Sequence, residues 1–168
     1  MNILELFTPI KTFIFDVDGV LTNSALLATE DGHLLRQVNI KDGYALQLAV
    51  KKGYNVWIIS GGNSEAIKVR FQNLGLKEVH IKVKDKKALL KQLVEKNNLS
   101  LDTALYMGDD IPDYAVMQMC ALPTAPADGC TEVKSIAKYI SPLSGGQGCV
   151  RDVIEKVLKL NGDWDLPK

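Results

Sequence analysis

Thr12-Phe13-Ile14-Phe15-Asp16-Val17-Asp18-Gly19-Val20-Leu21-Thr22 is an apolar run that ends on two carboxylates and a glycine. A short run rich in Ile, Phe and Val fits an interior strand of a parallel sheet, because such a strand is covered on both faces and loses the apolar/polar alternation. Ligands of open α/β sheets bind beyond the carboxyl ends of the strands, so the acidic pair stands where a ligand is expected. Asp16 and Asp18, two apart on an extended chain, are expected on one side, with Gly19 letting the backbone turn sharply beside them.

Outward from this strand the chain alternates strand and helix patterns, which predicts a Rossmann-like, doubly wound parallel sheet. One segment breaks the alternation. Residues 25–29 and 34–38, joined by Glu30-Asp31-Gly32-His33, read as a projecting β-hairpin (flap about 24–39) above the acidic pair. A helix from Asp42 through Lys52 follows, then a strand over Asn55–Ile59, the loop Ser60-Gly61-Gly62-Asn63 and a helix over Glu65–Leu74. Further on come a strand at Val79–Ile81, a helix from about Asp85 to Lys96 and a strand over Thr103–Met107 that ends on Gly108-Asp109-Asp110-Ile111-Pro112-Asp113. Helices near Tyr114–Met119, Val133 and Val150–Leu160, with strands near Leu122 and Tyr139, complete one domain over residues 1–168. The tail, 161–168, is polar and is expected to be mobile unless something holds it.

Composition narrows the function classes. The 168 residues, 46% hydrophobic, suffice for one domain with a core. Twenty basic and twenty acidic residues, with no long basic run, leave no electrostatic footprint for nucleic acid or a membrane surface. No apolar segment approaches a membrane span and the N-terminus does not read as a signal peptide, so a cytoplasmic protein is expected. Cys120, Cys130 and Cys149 show no metal-binding spacing and read as small buried hydrophobes, and His33 and His80 stand far apart in sequence.

The chemistry therefore lies at the strand tips. Asp16 and Asp18 arrive after the first strand, Ser60 and Gly61 after the second long one, and Asp109, Asp110 and Asp113 after a later one, with Lys86 at a helix start between them. Carboxylates gathered at one edge repel unless a cation sits among them, and hard oxygen ligands together with a phosphate select Mg²⁺. Ser60 and Gly61, at a strand-to-helix turn, can hold a phosphate, and Lys86 adds a point charge against it. The set suits in-line phosphoryl transfer, with Asp16 as nucleophile and Asp18, provided its neighbours raise its pKa, as the group that protonates the leaving alkoxide and deprotonates water.

These residues resemble the haloacid dehalogenase superfamily of phosphohydrolases. Asp16-Val17-Asp18-Gly19-Val20-Leu21-Thr22 looks like its first motif, Ile58-Ile59-Ser60-Gly61 its second, Lys86 its third and Gly108-Asp109-Asp110-Ile111-Pro112-Asp113 its fourth. The resemblance implies that Asp16 and Asp109 bind Mg²⁺ through their side chains and Asp18 through its carbonyl, that Asp110 and Asp113 support them, and that Lys86 pairs with Asp16 and phosphate. The stretches between motifs are too short for a cap domain, which is similar to the capless subgroup acting on 3-deoxy-D-manno-octulosonate 8-phosphate in lipopolysaccharide precursor synthesis. Asn39-Ile40-Lys41-Asp42-Gly43, Gly145-Gly146-Gln147-Gly148 and Gly162-Asp163-Trp164 resemble that subgroup too. It implies a homotetramer whose hairpins and tails cover neighbouring sites.

A basic residue commonly follows the second-motif glycines, whereas Gly62-Asn63 stands here. Gly62, Asn63 and Arg70 are candidate substrate contacts, with Arg36 a further cation for an acidic sugar. The alternative substrate is a nine-carbon, sialic-acid-type 9-phosphate. A receiver-like signalling domain places its phosphoacceptor on a middle strand, and a silent binding protein has little reason to keep all five acids.

Overall fold

A computed structural model of the chain describes residues 2–165. Six parallel strands form the sheet, in the order β5-β4-β1-β6-β7-β8: β1 (Thr12–Phe15), β4 (Asn55–Ile59), β5 (Glu78–His80), β6 (Ala104–Met107), β7 (Leu122–Ala125) and β8 (Tyr139–Ile140). β1 sits centrally, with Phe15 in register with Ile58 of β4 and Met107 of β6. The connecting helices are α1 (Ile40–Lys51), α2 (Glu65–Asn73), α3 (Lys86–Asn97), α4 (Ile111–Met117), α5 (Thr131–Ile136) and α6 (Cys149–Leu160).

Alternation along each buried strand feeds two cores. Phe13, Phe15, Val56, Ile58, Leu105 and Met107 pack with α1, α2 and α6, while Ile14, Trp57, Ile59 and Tyr106 pack with α3, α4 and α5. All four residues of β1 and of β6 are buried. The tips of these adjacent strands are therefore anchored by core on both faces, so groups carried just beyond them have little freedom to move apart.

The hairpin forms at the expected place but with two-residue strands only, β2 (Leu27–Ala28) and β3 (Leu34–Leu35). Its leucines face solvent, and paired strands with no packed face do not propagate. The helix expected from Tyr114 begins earlier, at Ile111, because Asp110 caps it and Pro112 suits its first turn. The tail is held through Asp165. The Tyr54 hydroxyl donates to Asp163 at 2.7 Å, Lys52 pairs with Asp165, and Trp164 packs edge-on against Tyr44 and beneath the Arg151 guanidinium. These contacts lie within one chain and supply the hold without which a mobile tail is expected; residues 166–168 lie outside the described range. Cys120 and Cys149 are buried and free, as expected, whereas Cys130 is free but only half-buried. No helix among the described residues is long and apolar enough to cross a membrane.

Candidate active site

Asp16 is the first residue beyond β1, and its backbone N–H continues the sheet by donating to Met107 O at 3.2 Å. One carboxylate oxygen accepts from Val17 N–H at 2.7 Å and the other lies 3.1 Å from Lys86 Nζ. Lys86 opens α3 behind the cap Asp85, which aims its buried ammonium at the tips of β1 and β6. There it also donates to Asp113 Oδ1 at 2.7 Å. Asp113 is fully buried, and its remaining contacts are the Tyr106 hydroxyl at 2.9 Å and Asp109 N–H at 3.3 Å.

After Asp16 the backbone leaves the strand. Val20, Leu21 and Thr22 all donate N–H groups to Val17 O, so Asp18 sits on a coil rather than on extended chain. The extended-chain reason for placing Asp16 and Asp18 together does not hold: Asp16 meets Lys86 at 3.1 Å, and Asp18 meets Arg36, at the base of the hairpin, at 2.7 Å. Both still line one cavity of about 580 Å³ with Ser60, Gly61, Gly62, Lys86, Asp109 and Asp110. Gly19 is required where the coil passes β6, since a Cβ there would stand 1.9 Å from Asp109 Oδ2 and its φ is +86°. Gly146 N–H and Cys149 Sγ both bond to Val20 O, so the loop into α6 holds the coil in place.

Asp16, Asp109 and Asp113 can each bring a carboxylate oxygen within 4.8 Å of the others. Asp113 already has Lys86, Tyr106 and the Asp109 amide, which leaves Asp16 and Asp109 as the pair open to a cation. Burial and then the charge of Asp113 hold the Asp16 carboxyl well above its usual range, and burial with Asp113 and Asp110 pushes Asp109 up to about 7. Burial works against the Lys86 charge, but Asp16 and Asp113 outweigh it and raise its pKa. One ammonium among these carboxylates is too little positive charge to keep them all ionised, and an all-oxygen donor set beside an open cavity fits Mg²⁺.

Ser60 is buried at the tip of β4, and its hydroxyl oxygen accepts from Gly62 N–H at 3.1 Å, which leaves the hydroxyl proton free to donate. Asp110 is exposed on the rim as the cap of α4, not packed beneath the site. Asn63 is exposed and lies outside the cavity wall. Arg70 also lies outside it, packed so closely on α1 that a Cβ at Gly43 would stand 3.0 Å from its guanidinium. Lys84, by contrast, lines the rim unforeseen. Sequence reasoning also missed Tyr106. Its signal is a hydroxyl in the otherwise apolar strand Ala104–Met107, since a buried tyrosine hydroxyl needs a partner.

Residues 78–151 match the haloacid dehalogenase-like hydrolase family. The 3-deoxy-D-manno-octulosonate 8-phosphate phosphatase KdsC of Escherichia coli K12 is 31% identical over 159 residues, covering 95% of this chain and 85% of that protein. Its Yersinia pestis counterpart is 28% identical over 169 residues, covering 98% and 90%. Among solved structures, the Moraxella catarrhalis phosphatase of the same name, in complex with magnesium ion, phosphate ion and KDO, superposes with a TM-score of 0.92 at 29% identity, covering 97% of this chain and 94% of that one. The cobalt-bound Haemophilus influenzae phosphatase superposes with a TM-score of 0.88 at 26% identity, covering 94% and 92%. With its central acid-bearing strand, its buried lysine and these relatives over nearly its whole length, the chain belongs to the haloacid dehalogenase-like hydrolases, alongside the 3-deoxy-D-manno-octulosonate 8-phosphate phosphatases.

Proposed function

We propose that the protein is a Mg²⁺-dependent phosphomonoesterase that releases phosphate from 3-deoxy-D-manno-octulosonate 8-phosphate through an aspartyl-phosphate on Asp16. The observation that carries this reading is the placement of Asp16: its carboxylate stands at the tip of the central strand, 3.1 Å from a buried ammonium and beside the Asp109 carboxylate. Mg²⁺ held by the Asp16 and Asp109 side chains and the Asp18 carbonyl supplies positive charge against the phosphoryl oxygens.

In the first step an Asp16 carboxylate oxygen attacks phosphorus in line, and the bond from phosphorus to the sugar oxygen breaks. Asp18 gives its proton to that leaving oxygen. In the second step Asp18 takes a proton from water, the water oxygen attacks phosphorus, and the bond to Asp16 breaks to restore the carboxylate. Ser60 Oγ and the Gly61 N–H hold the phosphoryl oxygens throughout. Lys86 screens Asp16 from the incoming anion, and Asp113 with Tyr106 keeps that lysine from swinging away. These last two act through Lys86, so they are positioning residues.

The cavity wall at Ser60, Gly61 and Lys86 treats phosphate monoesters alike, so selectivity rests with what surrounds the rest of the molecule. Leu26, Leu27, Leu34 and Leu35 are 43–65% exposed on the hairpin, a greasy surface for a projection into water. We read it as an interface of a homo-oligomer, most simply a tetramer, that covers the sites in a cytoplasmic enzyme. The hairpin, the Gly62–Asn63 loop and a neighbour's tail around Trp164 are the candidate parts of that cover. Arg70, outside its own cavity, can serve a site only from a second copy.

A panel of sugar phosphates assayed with Mg²⁺ tests the reading. The highest kcat/KM is expected for the eight-carbon 3-deoxy-octulosonate 8-phosphate, above the nine-carbon acid 9-phosphates and well above hexose phosphates, with turnover lost on chelation and restored by Mg²⁺. A preference for hexose phosphates overturns the substrate; turnover unchanged after exhaustive chelation overturns the metal.

A further inference from the structure

Arg36, at the base of the hairpin just beyond β3, reaches back to Asp18, which lines the cavity, without lining it itself. Its Nε donates to Asp18 Oδ1 at 2.7 Å and its Nη2 to Asp18 Oδ2 at 3.1 Å, while Nη1 donates to Leu34 O at 3.3 Å. The arginine side chain is 6% exposed although its partner carboxylate is 35% exposed, so the fork lies behind Asp18 and not in front of it. Among the described residues, no other hydrogen bond or ion pair reaches that carboxylate. A planar guanidinium bonded to both oxygens fixes the plane of the carboxyl group, which a single bond cannot do.

The third party to this junction is Gly62. A Cβ there would stand 2.9 Å from Asp18 Oδ2, 3.0 Å from Arg36 Nη2 and 3.3 Å from Ser60 Oγ. Gly62, within the Gly62-Asn63 pair that stands where a basic residue commonly follows the second-motif glycines, is thus a position where a side chain would push the fork apart. We propose that Arg36 is a positioning residue that aims Asp18 at the leaving oxygen, and that Gly62 leaves room for it, so the hairpin helps set the proton-transfer geometry. This rests on the reading of Asp18 as proton donor.

The test compares an alkyl substrate, the best sugar phosphate of the panel, with 2,4-dinitrophenyl phosphate, whose leaving group departs without a proton. For Arg36→Met, the single-turnover rate of sugar release at saturating substrate, which reports the first step alone, should fall about 10²-fold, as for a misaimed reacting group, with KM within about threefold of wild type. On the dinitrophenyl ester the single-turnover rate of phenolate release should fall less than about tenfold, because only a poor, alkoxide leaving group needs the acid, while the later hydrolysis of the Asp16 phosphate is common to both substrates. Arg36→Lys should recover part of the sugar-phosphate rate, since it restores a donor without the fork. Gly62→Ala should reproduce the leaving-group dependence with the hairpin untouched, which keeps the test valid if Arg36→Met folds poorly. Equal losses of the release rate on both substrates, or a raised KM with that rate preserved, overturn the proposal. Asp18→Asn is the control: if it shows no leaving-group dependence, the role given to Asp18 is wrong and the proposal fails with it, whereas a dependence in Asp18→Asn that is absent from Arg36→Met and Gly62→Ala overturns the positioning role alone.

Discussion

The cradle at the tips of β1 and β6 and the hairpin above it are built on opposite terms. In the cradle, Asp16, Lys86 and Asp113 are buried and bonded to groups carried by different elements, each of which is tied into a core. The hairpin has two-residue strands, four exposed leucines and one strong anchor, Arg36 on Asp18. Charges packed this closely keep their places only where the backbone cannot relax, which is why the chemistry sits on the central strands. A surface that meets a partner or a variable substrate needs no such rigidity. The division implies that changes in the cradle cost turnover itself, whereas changes in the hairpin cost assembly and selectivity.

The largest expected effect lies in the cradle. Asp16→Asn keeps the side chain's size but cannot attack phosphorus, so kcat should fall on the order of 10⁴-fold or more, with the fold intact by circular dichroism. Near-normal turnover by a folded variant would break the division at its foundation. The hairpin should behave differently. Replacing Leu27 and Leu34, which are 65% and 51% exposed, by Ser should leave the stability of an isolated subunit within about 0.5 kcal/mol, yet shift the mass by light scattering towards monomer. Hydrolysis of an aryl phosphate should survive while the preference for the sugar acid narrows. An oligomer unchanged by both substitutions would mean that the leucines cover nothing.

The smallest effect on turnover concerns the support behind the cradle. Asp42 of α1 accepts from Arg151 N–H at 2.8 Å, tying α1 to the first turn of α6, and its other oxygen is buried without a partner among the described residues. Burial pushes its pKa up to about 6. A folded-state pKa above the unfolded value gives stability that is present at low pH and lost as pH rises through the folded value. Asn at this position keeps an oxygen for Arg151 and has no charge to gain. Denaturant unfolding should therefore show the stability of Asp42→Asn relative to wild type rising by up to about 3 kcal/mol between pH 4 and pH 7. A pH-independent difference would show that burying this charge carries no cost.

Much of this was legible in the sequence because it follows from local rules. Unbroken apolar runs gave the buried strands, and the acids that end two of them gave the cradle. What escaped depends on partners distant in sequence. Tyr106 acquires its role only where α4 brings Asp113 beneath it, and the direction of Asp18 is set by a coil whose hydrogen bonds converge on Val17 O. The hairpin's extent was overread, since a leucine-rich pair of segments looks like strand whether or not anything packs on it. The tail was read by its polarity, but Asp163, Trp164 and Asp165 find a tyrosine, an aromatic pocket and a lysine on their own chain. Arg70, placed near the loop by sequence, points instead at Gly43.

The most direct test is to quench the enzyme in acid during turnover of substrate carrying labelled phosphorus, and to map the label by peptide mass spectrometry. Expected is label on Asp16, acid-stable and base-labile, present in the wild type and absent from Asp16→Asn. Label on any other residue, or steady turnover with no protein-bound phosphate at any quench time, would contradict Asp16 as the nucleophile.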